Sequence, residues 1–442
     1  MRYNLFNSII PLSEKSSLLY NAYTDSFIVF NSKLKDCVLN DFPQLQNRNP
    51  GLAEKLIDTQ CYIEDSVSEF ESLRKINEEL VNNDLNYFVI INPTLACNFK
   101  CWYCYETHQP KSKMSADIMK RTFTLFDNIV QDNNKLENFA ISFFGGEPLL
   151  QFKPIVLPII EYYAALCEKN NLSQGISFTS NGYLITQSIV SELQKHKNVS
   201  FQITLDGGEE VHNKVRFTGK KGSYQQIIHN IKMLLSNGMH VRLRINYTKD
   251  TIESVKYILN DIKDIPKQER KILDIDFHRV WQDRDVKNEV DGIRDILNSF
   301  IEEDFKIIYN ERNEVYNSCY ADKKNTLVVN YNGDVYKCTS KDFTKENREG
   351  FLNESGQVVW EKSQEFRRNV KLSNPLCQTC RVAPLCGSGC SKYNMENIEK
   401  ANEYCVLNKS NELIDNLILD RFDALIRNKS FLKETEQQVL TF

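Results

Sequence analysis

The chain has 442 residues, a formal net charge of −4, 41% hydrophobic and 26% charged residues, and 13 cysteines. This balance excludes a disordered chain and argues against broad contact with a phosphate backbone, so no nucleic-acid partner is expected. No run of about eighteen apolar residues occurs, and the start "MRYNLFNSIIPLSEKSSLLY" lacks a basic stretch followed by a long apolar one, so no membrane segment is expected and the protein reads as cytoplasmic.

The length predicts two or three domains. In the stretch 1–85, "SLLYNAYTDSFIVFN" predicts two strands around a Thr24–Asp25 turn. Helical "NPGLAEKLIDT", the short "CYIED" and a charged helix from about Val67 to Leu80 follow, a pattern similar to a small winged-helix-like module. Over 86–310, six β-rich runs alternate with helix-like stretches: "YFVIINP", "FAISFFGG", "GISFTSNG", "VSFQITLDG", "HVRLRINY" and "LDIDFHRVW". Strand alternating with helix is the signature of a parallel α/β fold, so a partial (β/α)6 TIM-type barrel is expected.

Residues two apart on a strand share a face. Ser177, Thr179 and Asn181 fall on one face of the third run, and Gln202, Thr204 and Asp206 on one face of the fourth. Arg242, Arg244 and Asn246 do so on the fifth, and Asp274, Asp276 and His278 on the sixth. Closed barrels fill their interior with branched aliphatics, so these polar faces predict an open lumen suited to a polar ligand. Beyond 311 the composition turns to cysteines and short strands. "TLVVNYNGDVYKC" carries the hairpin signal Asn332–Gly333, and "NKSNELIDNLILDRFDALI" predicts an amphipathic closing helix.

In a reducing compartment 13 cysteines read as ligands or nucleophiles rather than as disulfides. Cys97, Cys101 and Cys104 follow the first barrel strand, and three thiolates on one loop can hold three irons of a [4Fe-4S] cubane, leaving one iron open. A zinc site completed by His108 is the alternative, against which the i, i+4, i+7 spacing counts. The loop resembles the CX3CXΦC signature of the radical S-adenosylmethionine (SAM) superfamily, with Tyr103 at the aromatic position. The resemblance extends to "GGEP" (Gly145, Gly146, Glu147, Pro148), which it places against the SAM amino group. It likewise implies SAM contacts at Ser180, Asn181, Asp206 and Arg216.

The remaining cluster of cysteines, C-x13-G-x4-C, then C-x2-C-x5-C-x3-C, then one more, resembles the SPASM domain of radical SAM enzymes that modify peptides, here over 311–442. By that resemblance Cys377, Cys380, Cys386 and Cys405 hold one auxiliary [4Fe-4S] cluster, and Cys319, Cys338 and Cys390 hold part of another, three clusters in all. No cysteine lies between Cys319 and Cys338, so a fourth ligand would come from substrate, a non-cysteine group, or remote Cys37, Cys61 or Cys167. Those three fall in strand or helix contexts, where a free cysteine is usually a small buried hydrophobe.

The resemblance implies reductive cleavage of SAM to a 5′-deoxyadenosyl radical. That radical would take hydrogen from a ribosomally made precursor peptide to form an intramolecular thioether or carbon–carbon crosslink. The 1–85 module would grip the peptide's leader by strand addition. A donor such as flavodoxin or ferredoxin would supply electrons. Asp276, His278 and Asp283 are candidate bases by their position at the end of the sixth run, with His278 read in preference as a hydrogen-bonded lumen residue. The alternatives are formylglycine formation of the anaerobic sulfatase-maturase kind, or an iron–sulfur electron carrier or peptide-binding protein.

Overall fold

The computed structural model describes residues 1–218, 221–283, 292–309, 315–316, 318–397, 399, 404–427 and 440–441. Contacts divide the chain into two compact units: Met1–Asn83 with Asn310–Lys324 and Ser363–Phe442, and Asp84–Tyr309 with Asn325–Lys362. The first boundary falls at Asn83, beside the expected 85, whereas the stretch 311–442 is shared between the two units.

The first unit starts with three antiparallel strands, β1 (Asn7–Pro11), β2 (Ser16–Asn21) and β3 (Ser26–Asn31). β2 and β3 close around the expected turn, with Asn21 opposite Ser26 and Asp25 at φ 54°. That carboxylate accepts from the Tyr20 hydroxyl at 2.9 Å and pairs with Arg421. Helices α1 (Lys35–Asn40), α2 (Phe42–Arg48) and α3 (Pro50–Asp58) follow. The side chains of Asp41 and Asn49 cap α2 and α3, each with a proline in the first turn. Then comes the charged helix α4 (Glu69–Val81).

Strand alternation gives this sheet two apolar faces. Leu19, Ile28 and Phe30 pack with Val38, Leu45, Leu52 and Leu56. Leu18, Tyr20 and Phe27 pack with Ile414, Leu417, Ile418 and Phe422 of the expected closing helix, Asn411–Arg427. A short strand, Leu440–Thr441, pairs in parallel with the outer side of β3.

The second unit holds all six expected strands as a parallel run: β4 (Asn86–Ile91), β5 (Asn138–Phe143), β6 (Ser173–Ser180), β7 (Val199–Leu205), β8 (His240–Tyr247) and β9 (Leu273–Arg279). A seventh parallel strand, β10 (Lys306–Tyr309), pairs with β9. Its four residues carry too little alternation to stand out in the sequence. On the far side β11 (Thr326–Val329) pairs in parallel with β4, and β12 (Asp334–Tyr336), β13 (Gly350–Leu352) and β14 (Val358–Trp360) continue antiparallel. The sheet order is β10-β9-β8-β7-β6-β5-β4-β11-β12-β13-β14, a mostly parallel open sheet in the partial-barrel class expected.

The β11–β12 hairpin is not the two-residue turn that Asn332–Gly333 suggests. Asn330 N–H donates to Asp334 O at 2.8 Å, so Tyr331, Asn332 and Gly333 form a three-residue loop, with Gly333 at φ 84°.

The polar faces come into register across the strands. Arg242 lies opposite Gln202 and Asp274, Arg244 opposite Thr204 and Asp276, and Asn246 opposite His278. On the opposite face Phe143, Phe178 and Phe201 stack at 5.2 and 4.7 Å between ring centres. The run Pro148–Lys169 is long and apolar enough by composition to cross a membrane. Its Ile155, Val156, Ile159, Ile160, Tyr163 and Cys167 are buried in the core of this unit, which accounts for that composition.

Asp274 sits on the polar face and pairs with His240 at 3.2 Å and Lys306 at 2.9 Å. Burial raises its pKa, but hydrogen bonds from His240 and Lys306 more than offset this and draw the carboxyl down to about 2. A folded-state pKa below the unfolded one stabilises the protein above the ordinary carboxyl range, and that contribution is lost as pH falls from about 4 to about 2. Asp274→Asn is therefore expected to cost about 2 kcal/mol near neutral pH and progressively less in acid. Urea unfolding at about pH 7 and about pH 3 measures it, and equal penalties at both would rule out the charge as the cause.

Candidate active site

β4 ends at Ile91, and the chain turns through Asn92–Ala96 into the three-cysteine loop. The base of that loop is pinned. Thr94 Oγ1 donates to Ser112 O at 2.7 Å, Leu95 N–H donates to Ser112 Oγ at 2.8 Å, and Gln109 N–H to Leu95 O at 3.1 Å. From the next strand end, Gly146 N–H and Glu147 N–H donate to Thr94 O and Ala96 O at 3.2 and 2.8 Å. This is why two glycines stand there. A Cβ on Gly145 would lie 2.5 Å from Thr94 O, and one on Gly146 2.3 Å from Ala96 O. Gly145 also adopts φ 100°.

Glu147 is fully buried. Its carboxylate accepts from Leu149 N–H (3.0 Å), Ser180 Oγ (2.9 Å) and Asn181 N–H (2.8 Å), tying the end of β5 to that of β6. Burial pushes it up to about 7, with those hydrogen bonds opposing. Pro148 follows in the first turn of the next helical segment. Asn181 in turn donates through Nδ2 to Asn98 Oδ1 at 2.8 Å, inside the cysteine loop, and Asn98 Nδ2 is buried with no hydrogen-bond partner among the described residues.

Tyr103 reaches across the lumen. Its hydroxyl donates to Asp206 (2.6 and 2.8 Å to the two oxygens) and accepts from Arg216 Nη2 at 2.6 Å and Asn246 Nδ2 at 3.0 Å. Arg216 also forms a buried ion pair with Asp206 through Nε. Burial opposes the charge on Arg216, but Asp206, Tyr103 and Cys101 beside it hold the guanidinium charged well above its ordinary range. The Gln282 side-chain amide donates to Tyr103 O at 2.9 Å, which fastens the cysteine loop to the end of β9.

Cys97 and Cys101 are partly buried against the barrel core, and Cys104 is exposed. Cys97 Sγ accepts from Phe99 N–H at 3.4 Å, and Cys104 Sγ lies 3.5 Å from His108 Nε2. Burial pushes Cys97 up to about 12, with Cys101 and Cys104 adding to that shift. Thiols so placed need a neighbouring cation to ionise, which metal ligation provides. Among the described residues no three His, Cys, Asp or Glu side chains converge on a single metal ion. Thiols that each take a different iron of a cubane have no need to converge, so this soft donor set on one loop fits a cluster better than zinc.

The base candidates separate. Asp276 is half-buried on the lumen face, raised by burial with Arg244 and Arg242 opposing. His278 Nε2 accepts from the Trp281 indole N–H at 2.9 Å, which engages the lone pair that a base would use. Asp283 is ion-paired with Arg279 at 3.0 Å and accepts from Lys249 N–H at 2.8 Å.

In the first unit Cys377, Cys380, Cys386 and Cys405 pack against one hydrophobic cluster; burial raises the pKa of Cys377 and Cys380, with Cys380 and Cys405 adding to the shift of Cys377 and Cys405 to that of Cys380. The Cys319 turn and the helix that starts after Cys390 are joined by a contact between Asp322 and Ser391, with Lys371 completing the pair at 3.1 Å. Cys338 belongs to the barrel unit, where its Sγ accepts from Ser340 N–H at 3.3 Å. Cys37 and Cys61 are buried together in the cluster beneath α1–α3, and Cys167 is buried in the barrel core. Asn98 and Asn246 join the site without having been assigned to it. Strand parity marks Asn246 as a lumen residue, whereas nothing in the sequence marks Asn98.

Residues 91–262 match the Radical SAM superfamily. Among characterised relatives, the cysteine-type anaerobic sulfatase-maturating enzyme of Clostridium novyi is 31% identical over 33% of this chain and 40% of its own length. The antilisterial bacteriocin subtilosin biosynthesis protein AlbA of Bacillus subtilis is 27% identical over 39% of this chain and 36% of its own. The chain thus spans less than half the length of either relative. The crystal structure of Streptococcus suis SuiB bound to precursor peptide SuiA aligns at TM-score 0.51 and 16% identity, over 91% of this chain and 98% of that one, a likeness of fold. With the three-thiol loop, the glycine pair and the Asp206–Arg216 cluster all at the same ends of the parallel strands, the chain carries a radical SAM domain.

Proposed function

We propose that the protein is a radical SAM peptide maturase that installs an intramolecular thioether or carbon–carbon crosslink in a ribosomally made precursor peptide. The observation that carries this reading is the place of Cys97, Cys101 and Cys104 at the mouth of a lumen whose polar residues stand in register from β7 to β9. A cluster held by those thiols would supply the electron for reductive cleavage of SAM, and so hydrogen abstraction from a peptide carbon. The chain's own residues hold and shield the reactants. Glu147 fixes Ser180 and Asn181 for the polar end of SAM, and Arg216 supplies the one strongly held positive charge of the Tyr103 cluster, suited to a carboxylate. Asp276 is the base of choice, since His278 and Asp283 are engaged elsewhere.

Crosslinking removes two hydrogens from the peptide. One would leave in 5′-deoxyadenosine; the other would leave as a proton, and its electron would need an acceptor, the role we assign to an auxiliary cluster that Cys377, Cys380, Cys386 and Cys405 would hold. A peptide substrate is supported by the similarity to the subtilosin biosynthesis protein and by a three-stranded sheet in the first unit whose β3 edge accepts a strand. The second reading, formylglycine formation on a Cys or Ser, rests on the similarity to the Clostridium novyi enzyme.

Mass spectrometry separates the two. The reconstituted protein with SAM, reductant and the peptides encoded by short reading frames beside its gene is expected to yield a peptide lighter by two hydrogens that does not react with a carbonyl-specific hydrazide. A thiol or hydroxyl replaced by an aldehyde would instead establish the second reading.

A further inference from the structure

The outer strands of the first unit's sheet differ. β1 ends in Pro11, which offers no N–H to a neighbour, so its free side is blunted. β3, "SFIVFN", has six residues, no proline and a β-branched, aromatic composition, the kind of edge that templates an added strand. The added strand in the structure comes from the same chain. Leu440 pairs with Ile28 and Thr441 with Val29, in parallel, and the sheet order places this segment outermost next to β3. The sequence around it, "QQVLTF", is rich in strand formers.

Among the described residues the pairing spans two of the six residues of β3. A longer extended peptide would form more ladder hydrogen bonds along the same edge and outcompete it.

We propose that the Leu440–Thr441 segment is an internal competitor for the β3 edge: it holds the strand-addition site until an extended peptide displaces it. The proposal rests on the reading of this module as a peptide-recognition element and adds its regulation. A segment tethered to the same molecule is present at high effective concentration, so even a short pairing lowers the apparent affinity for an incoming strand by the fraction of time that the edge is occupied. Weak or off-register peptides would be rejected, and a peptide matched to β3 along its length would be accepted.

The test uses the full-length reconstituted protein and a fluorescein-labelled nonapeptide, ETEQQVLTF, copied from this chain. In a Leu440→Pro, Thr441→Pro variant the segment loses two backbone donors, and the probe is expected to bind about tenfold more tightly than to the native chain, as nine-tenths occupancy of the edge would give. Amide exchange at Ile28 and Val29, measured without the probe, should speed up in the variant and slow again when the probe is added. Equal, measurable affinities for both proteins would overturn the competition while leaving β3 as a strand-addition site. Binding to neither protein, with amide exchange at β3 unchanged by the probe, would overturn both the competition and the recognition reading.

Discussion

Anaerobically reconstituted protein carrying Cys97→Ala, Cys101→Ala and Cys104→Ala is expected to release no 5′-deoxyadenosine from SAM beyond the background of the reductant, a loss of about three orders of magnitude or more against the native chain. The argument is spatial as well as chemical. The three thiols occupy one loop whose base is fixed by Ser112, Gln109 and the Gly146–Glu147 backbone, and the remaining cysteines are elsewhere. Cys167 is buried within the barrel core, Cys37 and Cys61 lie beneath α1–α3, and Cys377, Cys380, Cys386 and Cys405 pack in the first unit. None of these stands on the pinned loop to take over the lost ligands. The variant should fold and retain iron on the other thiols, so iron content falls without vanishing. Release of 5′-deoxyadenosine by both proteins would remove the loop from the chemistry. Its absence from both, with the native protein's clusters intact, would mean that cleavage waits for peptide or that the electron-carrier reading moves ahead.

Gly146→Ala is expected to act on the same loop without touching a thiol. Its added Cβ would meet Ala96 O at 2.3 Å, Ala96 C at 2.5 Å and Leu95 C at 2.7 Å, all of them backbone atoms that no rotamer change can move aside. Relief requires the strand end and the cysteine loop to separate, which breaks the Glu147 N–H to Ala96 O bond just before Cys97. About 1–3 kcal/mol of stability should be lost, at the upper end because backbone must shift, together with iron from the first cluster. Gly51→Ala is the matched control: it lies in α3, where a Cβ meets nothing nearer than Asn49 Oδ1 at 3.9 Å, and it should be neutral or slightly stabilising. Thermal unfolding and iron per chain measure both. A Gly146→Ala protein as stable and as iron-rich as the native one would show that the strand end does not hold the loop.

The six barrel strands were legible because each combines β-rich composition with period-two alternation, and the same alternation located the polar lumen that Arg244, Asn246 and Asp276 now line. β10 was not, since four residues are too few to show a period. Nor was the parallel pairing of β11 with β4, which joins residues more than two hundred apart through hydrogen bonds that no local pattern encodes. The helices α1 and α2 escaped notice because each is a turn or two long and is fixed by burial of Cys37, Val38 and Leu45, with Asp41 capping α2, rather than by periodicity. At the site, the motif resemblance supplied Tyr103, Glu147, Asp206 and Arg216 one by one. It did not show that Glu147 faces Ser180 and Asn181, or that Tyr103, Asp206 and Arg216 form one hydrogen-bonded group, because spacing along a chain does not encode meeting across a lumen.

The β11–β4 pairing also sets an order of assembly. Asn92, two residues before the pinned base of the cysteine loop, donates its N–H to Val329 O and its side-chain amide to Asn330, and Gln109 on the far side of the loop accepts from the Tyr331 hydroxyl at 2.7 Å. As the chain leaves the ribosome, β4 through β9 can zip together in sequence, each against the strand just made, but the first strand keeps a bare flank until residue 329 emerges. The earliest part of the barrel to be synthesised is therefore the last to be sealed, and the cysteine loop that grows from it stays accessible throughout that interval.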